Sequence, residues 1–409
     1  MNFIKRFLYC AFMLATLAVC LAPKAYAQDE APIVTISTSA YATIGASNMC
    51  TILIGGTEED YIDVDCGFGP VEYKLEVASF NTESATWEGT YLNCNVSSAG
   101  TIKIYGDPAK IDIINASGCY IRKIDFPQLL NLEILDLSHN ELTALDLSDF
   151  SSLKALYLND NPFGSSPLKI GGNKPSLMIL DIGQIDHLDS SFNLSDYPAM
   201  ATFDAWSCKD LTYLDPSGCP KIQKISIDST PVQSLNVSNN PNLAILNISE
   251  TGIEEIDLSN NPNLIQFYAD HQSGSVNAGK KLKSLDIAHN TYLQYLFASG
   301  NDFTSVDLSN NIYLTDVYLN NNLLTSINLD NNTYLQNLML RNNYFDFATL
   351  PLPNEQWLNY DYMQRNMPLA KSQKVGTVID LSSKVLRDGC VTTMAMYKVD
   401  EANPNGNVA

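Results

Sequence analysis

The residue types able to do chemistry in this chain of 409 residues are four histidines, nine cysteines and one aspartate pair. His139 and His289 sit in equivalent settings, Ser138-His139-Asn140 and Ala288-His289-Asn290, which makes them turn residues facing solvent. His187 and His271 fall in loop insertions with no metal-ligand spacing around them. Ser and Asp recur throughout as Leu-Asp-Leu-Ser, so a Ser/His/Asp constellation would arise here by coincidence. No glycine-rich phosphate loop follows a strand. Asp65-Cys66-Gly67-Phe68-Gly69 reads either as a cation or small-ligand site at Asp63 and Asp65 or as a tight turn that needs its glycines; the turn is the stronger reading. No catalytic residue, metal or cofactor is expected, and the chain is read as a binding protein rather than an enzyme.

The cysteines point the same way. Ile114-Asn115-Ala116-Ser117-Gly118-Cys119 and Leu214-Asp215-Pro216-Ser217-Gly218-Cys219 are parallel phrases, and Cys208 follows Phe203 by the same five residues. Asn fills that slot at 140, 161, 240, 261, 290, 301, 311, 322, 332 and 343. An amide repeated in every turn can satisfy buried backbone groups of its own coil and the next. Cys119, Cys208 and Cys219 are therefore expected to be buried and unpaired, as small apolar residues. Cys50, Cys66 and Cys94 lie outside this pattern, where one disulfide is expected without assignable partners.

A repeat positions all of these residues. Ile327-Asn328-Leu329-Asp330-Asn331-Asn332 leads into a segment from Leu335 to Phe345 that reads L-x-x-L-x-L-x-x-N-x-L, and the same pattern lies 21 residues earlier. The first central apolar residue of each segment, its anchor, falls at 114, 124, 135, 145, 156, 180, 203, 214, 225, 235, 246, 256, 267, 285, 296, 306, 317, 327 and 338. Most steps alternate between 11 and 10 residues; the longer ones, after 156, 180 and 267, carry Gly-, Pro-, Ser- and Lys-rich loops. Such periodicity predicts a solenoid in which each coil buries its apolar edge against its neighbours. The half-units with N-x-L should supply short strands on a concave face, and those with Asn-Asn-Pro the convex turns.

Side chains alternate along a strand, so the residues flanking each anchor should face solvent. The residue after each strand anchor gives a column: Asp136, Tyr157, Asp181, Asp204, Ser226, Asn247, Tyr268, Phe297, Tyr318, Met339. Its last four members are large and nothing in the core requires them, so they mark a binding surface. Tyr157, Trp206, Gln266, Tyr268, Tyr295, Phe297, Asp316, Tyr318 and Met339 are the candidate binding residues. The plainer reading is that aromatics suit a β-surface.

Residues 1–27 read as a secretory leader: Lys5 and Arg6, an apolar stretch from Phe7 to Leu21, and Ala25-Tyr26-Ala27 before Gln28. Leu17-Ala18-Val19-Cys20 is the rival lipid-attachment reading, disfavoured by Val19. No other stretch is long and apolar enough to span a membrane. Formal charge is −21, and loss of Lys5, Arg6 and Lys24 with the leader makes it −24, which argues against nucleic acid. The expected fold is mainly β: a β-sandwich over 28–106, a parallel-strand solenoid over 107–348, and a short β-region over 349–409 whose end, Asn403 to Ala409, reads as a turn inside a longer domain.

These features together resemble bacterial cell-surface leucine-rich-repeat proteins, internalin-like in their repeat grammar, over residues 107–348. Asp65 to Gly69 resembles the turn of immunoglobulin-like, PKD-type domains, with Cys66 where an aromatic is usual. The resemblance implies a secreted or surface-exposed adhesin that binds a host or neighbouring-cell protein on its concave face. A glycan-binding protein accessory to polysaccharide capture is the alternative, because aromatic strips also stack on sugars.

Overall fold

The computed structural model describes residues 31–39, 49–81, 86–98, 100–127, 129–164, 168–172, 174–188, 192–271, 281–346, 349–352, 355–361, 386–387 and 390–391. The expected leader and most of the strand-like runs after 362 lie outside these residues. Ten strands come first: β1 (Val34–Thr38), β2 (Met49–Gly56), β3 (Asp60–Asp65), β4 (Pro70–Leu75), β5 (Ser79–Asn81), β6 (Thr86–Glu88), β7 (Thr90–Asn95), β8 (Thr101–Tyr105), β9 (Ile111–Asn115) and β10 (Ile121–Asp125). Three-residue strands follow, one per coil: β11 (Ile134–Asp136), β12 (Ala155–Tyr157), β13 (Ile179–Asp181), β14 (Thr202–Asp204), β15 (Lys224–Ser226), β16 (Ile245–Asn247), β17 (Gln266–Tyr268), β18 (Tyr295–Phe297), β19 (Asp316–Tyr318), β20 (Asn337–Met339) and β21 (Asn359–Asp361). A hairpin of β22 (Leu386–Arg387) and β23 (Cys390–Val391) ends the described chain.

The solenoid is a parallel sheet running from β9 through β11 to β21 without a break in register. Anchors pair with anchors even across the longer steps: Leu156 with Leu180, Leu180 with Phe203, and Phe267 with Leu296. The strand anchors from Leu135 to Leu338 are fully buried, most of their flanking residues are half-exposed, and two anchors of the other half-units, Ile256 and Ile327, are only partly buried. A strand of three residues suffices because each coil has one inward position to fill there; stacking then makes the core continuous. The parallel sheet goes one rung past the expected end at 348, where Met339 pairs with Asp361.

The turn after each strand is built twice over. The residue before the ladder slot takes a left-handed conformation in coil after coil, as at His139, Asp160, Gln184, Ser207, Ser229, Glu250, Asn321 and Asn342. The ladder residue then satisfies the backbone. Asn322 donates through Nδ2 to the carbonyls of Ala298 (3.0 Å) and Leu319 (3.1 Å) and accepts from the Phe303 N–H (3.2 Å). Asn140, Asn161, Asn301 and Asn343 are likewise bonded through both ends of the amide. In the convex half-units Asn240, Asn261, Asn290, Asn311 and Asn332 each donate to two carbonyls, but their Oδ1 atoms are buried without a partner among the described residues. The middle coils use hydroxyls instead: Thr230 and Thr251 donate to Ile227 and Ile248 at 2.7 Å.

Residues ahead of the repeat share hydrogen bonds with its first coil. β2 pairs antiparallel with β9 and with β7, adding two strands to the long sheet, while β10 joins β1 in a second sheet of order β10-β1-β8-β3-β4. One apolar cluster runs from Ile33 to Phe345. The expected boundary at 106/107 is thus no break in bonding.

Two expectations need correction. Ile113, Ile134 and Ala155 precede their anchors yet are buried, because Leu53 and Ala78 cover that edge of the sheet and form a small second cluster with them. Thr202 and Asp316, further along, have no such cover and stay half-exposed. His271 ends a repeat coil rather than lying free in an insertion, and is 8% exposed. Cys66 and Cys94 form the disulfide, with Cα atoms 5.7 Å apart. Asp65 behaves as a turn former: its Oδ1 accepts from the Gly67 (2.7 Å) and Gly69 (3.0 Å) N–H groups. Among the described residues no His, Cys, Asp and Glu cluster suits a metal, and no helix is long and apolar enough to cross a membrane.

Candidate functional site

Parallel pairing turns the sequence column into a physical one. Tyr268, Phe297, Tyr318 and Met339 are successive Cα partners on β17 to β20. The Tyr268 and Phe297 rings stack at 5.0 Å and 12°, and Phe297 meets Tyr318 edge-on at 4.4 Å and 66°. Tyr295, two residues before Phe297 on the same strand, lies parallel to it at 6.5 Å. Each ring is half-buried, presenting an apolar face with a polar rim.

Polar groups beside the rings are held in place. Tyr268 donates its hydroxyl proton to Gln266 Oε1 at 2.9 Å. Asp316 accepts from Asn337 Nδ2 (2.6 Å) and from Thr315 Oγ1 (2.7 Å), and Asn359 continues the chain by donating to Asn337 at 2.6 Å. Burial raises the Tyr268 hydroxyl above its ordinary range, with smaller contributions from Tyr295, Asp316 and Asp270. Burial followed by Asp316 does the same for Tyr318. Both therefore remain neutral donors at physiological pH.

Tyr157 and Trp206 stand apart from this cluster. Five rungs separate Tyr157 from Tyr268, roughly 24 Å at the usual strand spacing of about 4.8 Å. Tyr157 packs on the covered edge with Ile134, Ala155 and Ile179. Its hydroxyl is raised first by burial and then by Asp136, Asp181 and Asp204. Trp206 lies across the preceding coil's turn, where a Cβ on Gly183 would come 2.1 Å from its Nε1. The sheet face thus has an acidic half around Tyr157, crossed by the ion pairs Lys154–Glu133 (2.6 Å) and Lys224–Asp204 (2.7 Å), and an aromatic half from Gln266 to Met339.

A second aromatic column was legible but not singled out. Tyr292, Tyr313 and Tyr334 occur once per 21 residues in Asn-x-Tyr-Leu phrases. They are 55%, 42% and 59% exposed, and stack in sequence at 6.2 Å and 6.1 Å with interplanar angles of 8° and 26°. In earlier coils the slot holds Asn242 and Asn263, whose amides donate to the carbonyls of Pro220 and Pro241 at 3.0 Å. The last coils exchange that bond for exposed rings. Gln294, Thr315 and Gln336 lie between the two columns in sequence, with Asp316 the one charged residue there. One open cleft is lined by Arg122, Phe126, Asp146, Phe150 and Lys169. It is remote from both columns, and its cations pair with Glu141 and Asp146.

A family model described as Leucine Rich Repeat matches residues 131–153. No curated protein matches the sequence. Among solved structures, the chain is similar to the functional domain of InlJ from Listeria monocytogenes, which includes a cysteine ladder: 24% identity, TM-score 0.47, covering 57% of this chain and 54% of that one. This chain therefore spans about half the length of that structure. An internalin, inlF, of the same organism is 17% identical at TM-score 0.40, over 62% of this chain and 87% of its own. A leucine-rich-repeat protein of Leptospira interrogans is 20% identical at TM-score 0.39, over 55% and 69%. The chain is a mainly β, parallel-strand solenoid, the fold of leucine-rich-repeat structures.

Proposed function

We propose that this is an exported recognition protein of adhesin type, displayed or released outside the cell, which binds a protein partner on its concave sheet face. The contact surface is Gln266, Tyr268, Tyr295, Phe297, Asp316, Tyr318 and Met339, with Tyr157 and Trp206 as outlying contacts. The stacked, half-exposed rings of Tyr268, Phe297 and Tyr318 carry this reading. The core is complete without them, and a preorganised aromatic patch with pinned polar neighbours loses little entropy on binding. The leader-like start and the strong negative charge support export and solubility. Screening against purified cell-surface protein ectodomains, with Phe297→Ala as control, tests it: a partner lost in the variant supports the reading, and binding unaffected by the variant overturns the site.

The tyrosine column favours one second reading. Tyr292, Tyr313 and Tyr334 form an exposed, uncharged platform on an otherwise acidic protein, the chemistry that stacks on a neutral glycan. A glycan array separates the two readings: neutral-glycan binding lost in Tyr313→Ala but kept in Phe297→Ala belongs to this column.

A further inference from the structure

Four cysteines converge where the first strands meet the solenoid. Cys50 on β2 is the direct cross-strand partner of Cys94 on β7, which is bonded to Cys66. Cys119 occupies a ladder slot but turns outward from its coil: its thiol donates to the Thr51 carbonyl at 3.3 Å, one residue from Cys50. Cys119 is the neighbour that acts most strongly on the Cys50 thiol. Both are buried and free, at 1% and 3% exposure. Cys208 and Cys219 contrast with them, donating to carbonyls within the solenoid, Ile182 at 2.9 Å and Leu194 at 3.1 Å.

We propose that Cys50 and Cys119 are an oxidisable pair that closes to a second disulfide, joining β2 to the first turn of the solenoid. The oxidant is a disulfide, whether of a small thiol or a thiol oxidoreductase. One cysteine thiolate attacks it and forms a mixed disulfide with loss of one thiol; the other thiolate then attacks that bond and releases the second. Two S–H bonds break, one S–S bond forms, and the oxidant takes up two electrons and two protons. Cys119 and then burial hold the Cys50 thiol far above its ordinary value of 9.0, so thiolate is scarce once the chain has folded. Closure therefore belongs to folding, before burial is complete, and the finished bond is shielded from reductants. It encloses a loop of 119 − 50 = 69 residues and locks the cap onto the coil that starts the sheet.

The test refolds the full reduced chain in glutathione and glutathione disulfide, alkylates it in denaturant, and maps peptides without reduction. The expected map contains Cys50–Cys119 and Cys66–Cys94, with Cys208 and Cys219 alkylated. Cys119→Asn, which installs the residue used in the equivalent slot at Asn140, should leave Cys50 open to alkylation and lower the non-reducing Tm by several degrees. Should Cys119→Asn fail to fold, Cys50→Ser serves in its place, with Cys119 then alkylated. Alkylation of both Cys50 and Cys119 in the refolded parent overturns the proposal, and so does Cys50 joined to Cys66 or Cys94.

Discussion

Tyr268 and Phe297 are 297 − 268 = 29 residues apart in the chain, yet their rings stack at 5.0 Å on paired rungs of the sheet. β17 and β18 pair in register across the longer step, so the column survives a break in the sequence period. Register, not proximity in the chain, assembles this surface.

Phe297→Ala and Tyr318→Ala should each weaken partner binding by about 1–3 kcal/mol. Stability should change by no more than about 1 kcal/mol, the scale of a lost aromatic pair, because neither ring is part of the core. Calorimetric titration alongside thermal melts measures both quantities. Variants that unfold would assign the rings to the core instead.

The two classes of ladder asparagine should differ in cost. Asn322→Ala orphans the Phe303 N–H and takes one of two donors from the Ala298 and Leu319 carbonyls, which keep Asn301 and Asn343. Asn311→Ala leaves the Ile287 and Asn290 carbonyls their backbone N–H partners and removes an Oδ1 that has no partner among the described residues. Each buried orphan costs ~1–3 kcal/mol. Urea melts should rank Asn322→Ala as most damaging, Asn311→Ala next, and the exposed Thr304→Ala within about 0.5 kcal/mol of the parent. Equal midpoints for all three would remove the ladder from the account.

Two glycines in equivalent turns should respond unequally to alanine. Gly300 has φ 81° and a Cβ there would lie 1.7 Å from the His271 carbonyl oxygen; Gly118 has φ 68° with open space around it. Gly118→Ala should cost only the left-handed penalty, about 1–2 kcal/mol. Gly300→Ala adds a backbone clash and should exceed ~3 kcal/mol. Chemical denaturation of the pair distinguishes conformation from collision.

Alkaline pH should destabilise the solenoid through its thiols. Burial pushes Cys208 and Cys219 up to about 12 from 9.0. The folded chain keeps protons that the unfolded chain releases, so this stability is complete below pH 9 and is lost as pH rises towards 12. The slope is about 1.4 kcal/mol per pH unit for each thiol. Lys174 opposes it: burial lowers its ammonium to about 8 from 10.5, which adds stability between those values. Denaturation midpoints measured across this range should fall above pH 9, and less steeply in Cys208→Thr, which borrows the hydroxyl of Thr230. An unchanged slope in that variant would exclude the thiol as the cause.

Local repetition made much of this molecule legible without coordinates. A period of 21 residues admits one solution in which every strand anchor from Leu135 to Leu338 is inward, and the same alternation put Tyr268, Phe297, Tyr318 and Met339 in one column. The Tyr292, Tyr313 and Tyr334 column was equally written in the period. What depended on tertiary structure lay wherever the chain stops repeating. Burial of Ile134 and Ala155 comes from Leu53 and Ala78, which no spacing connects to them. The partnership of Cys66 with Cys94, and the approach of Cys119 to Cys50, follow from antiparallel pairing of β2 with β7 and β9. A repeat encodes its contacts at a fixed separation and so can be read in one dimension; contacts of a cap have no common separation, and only the folded chain brings them together.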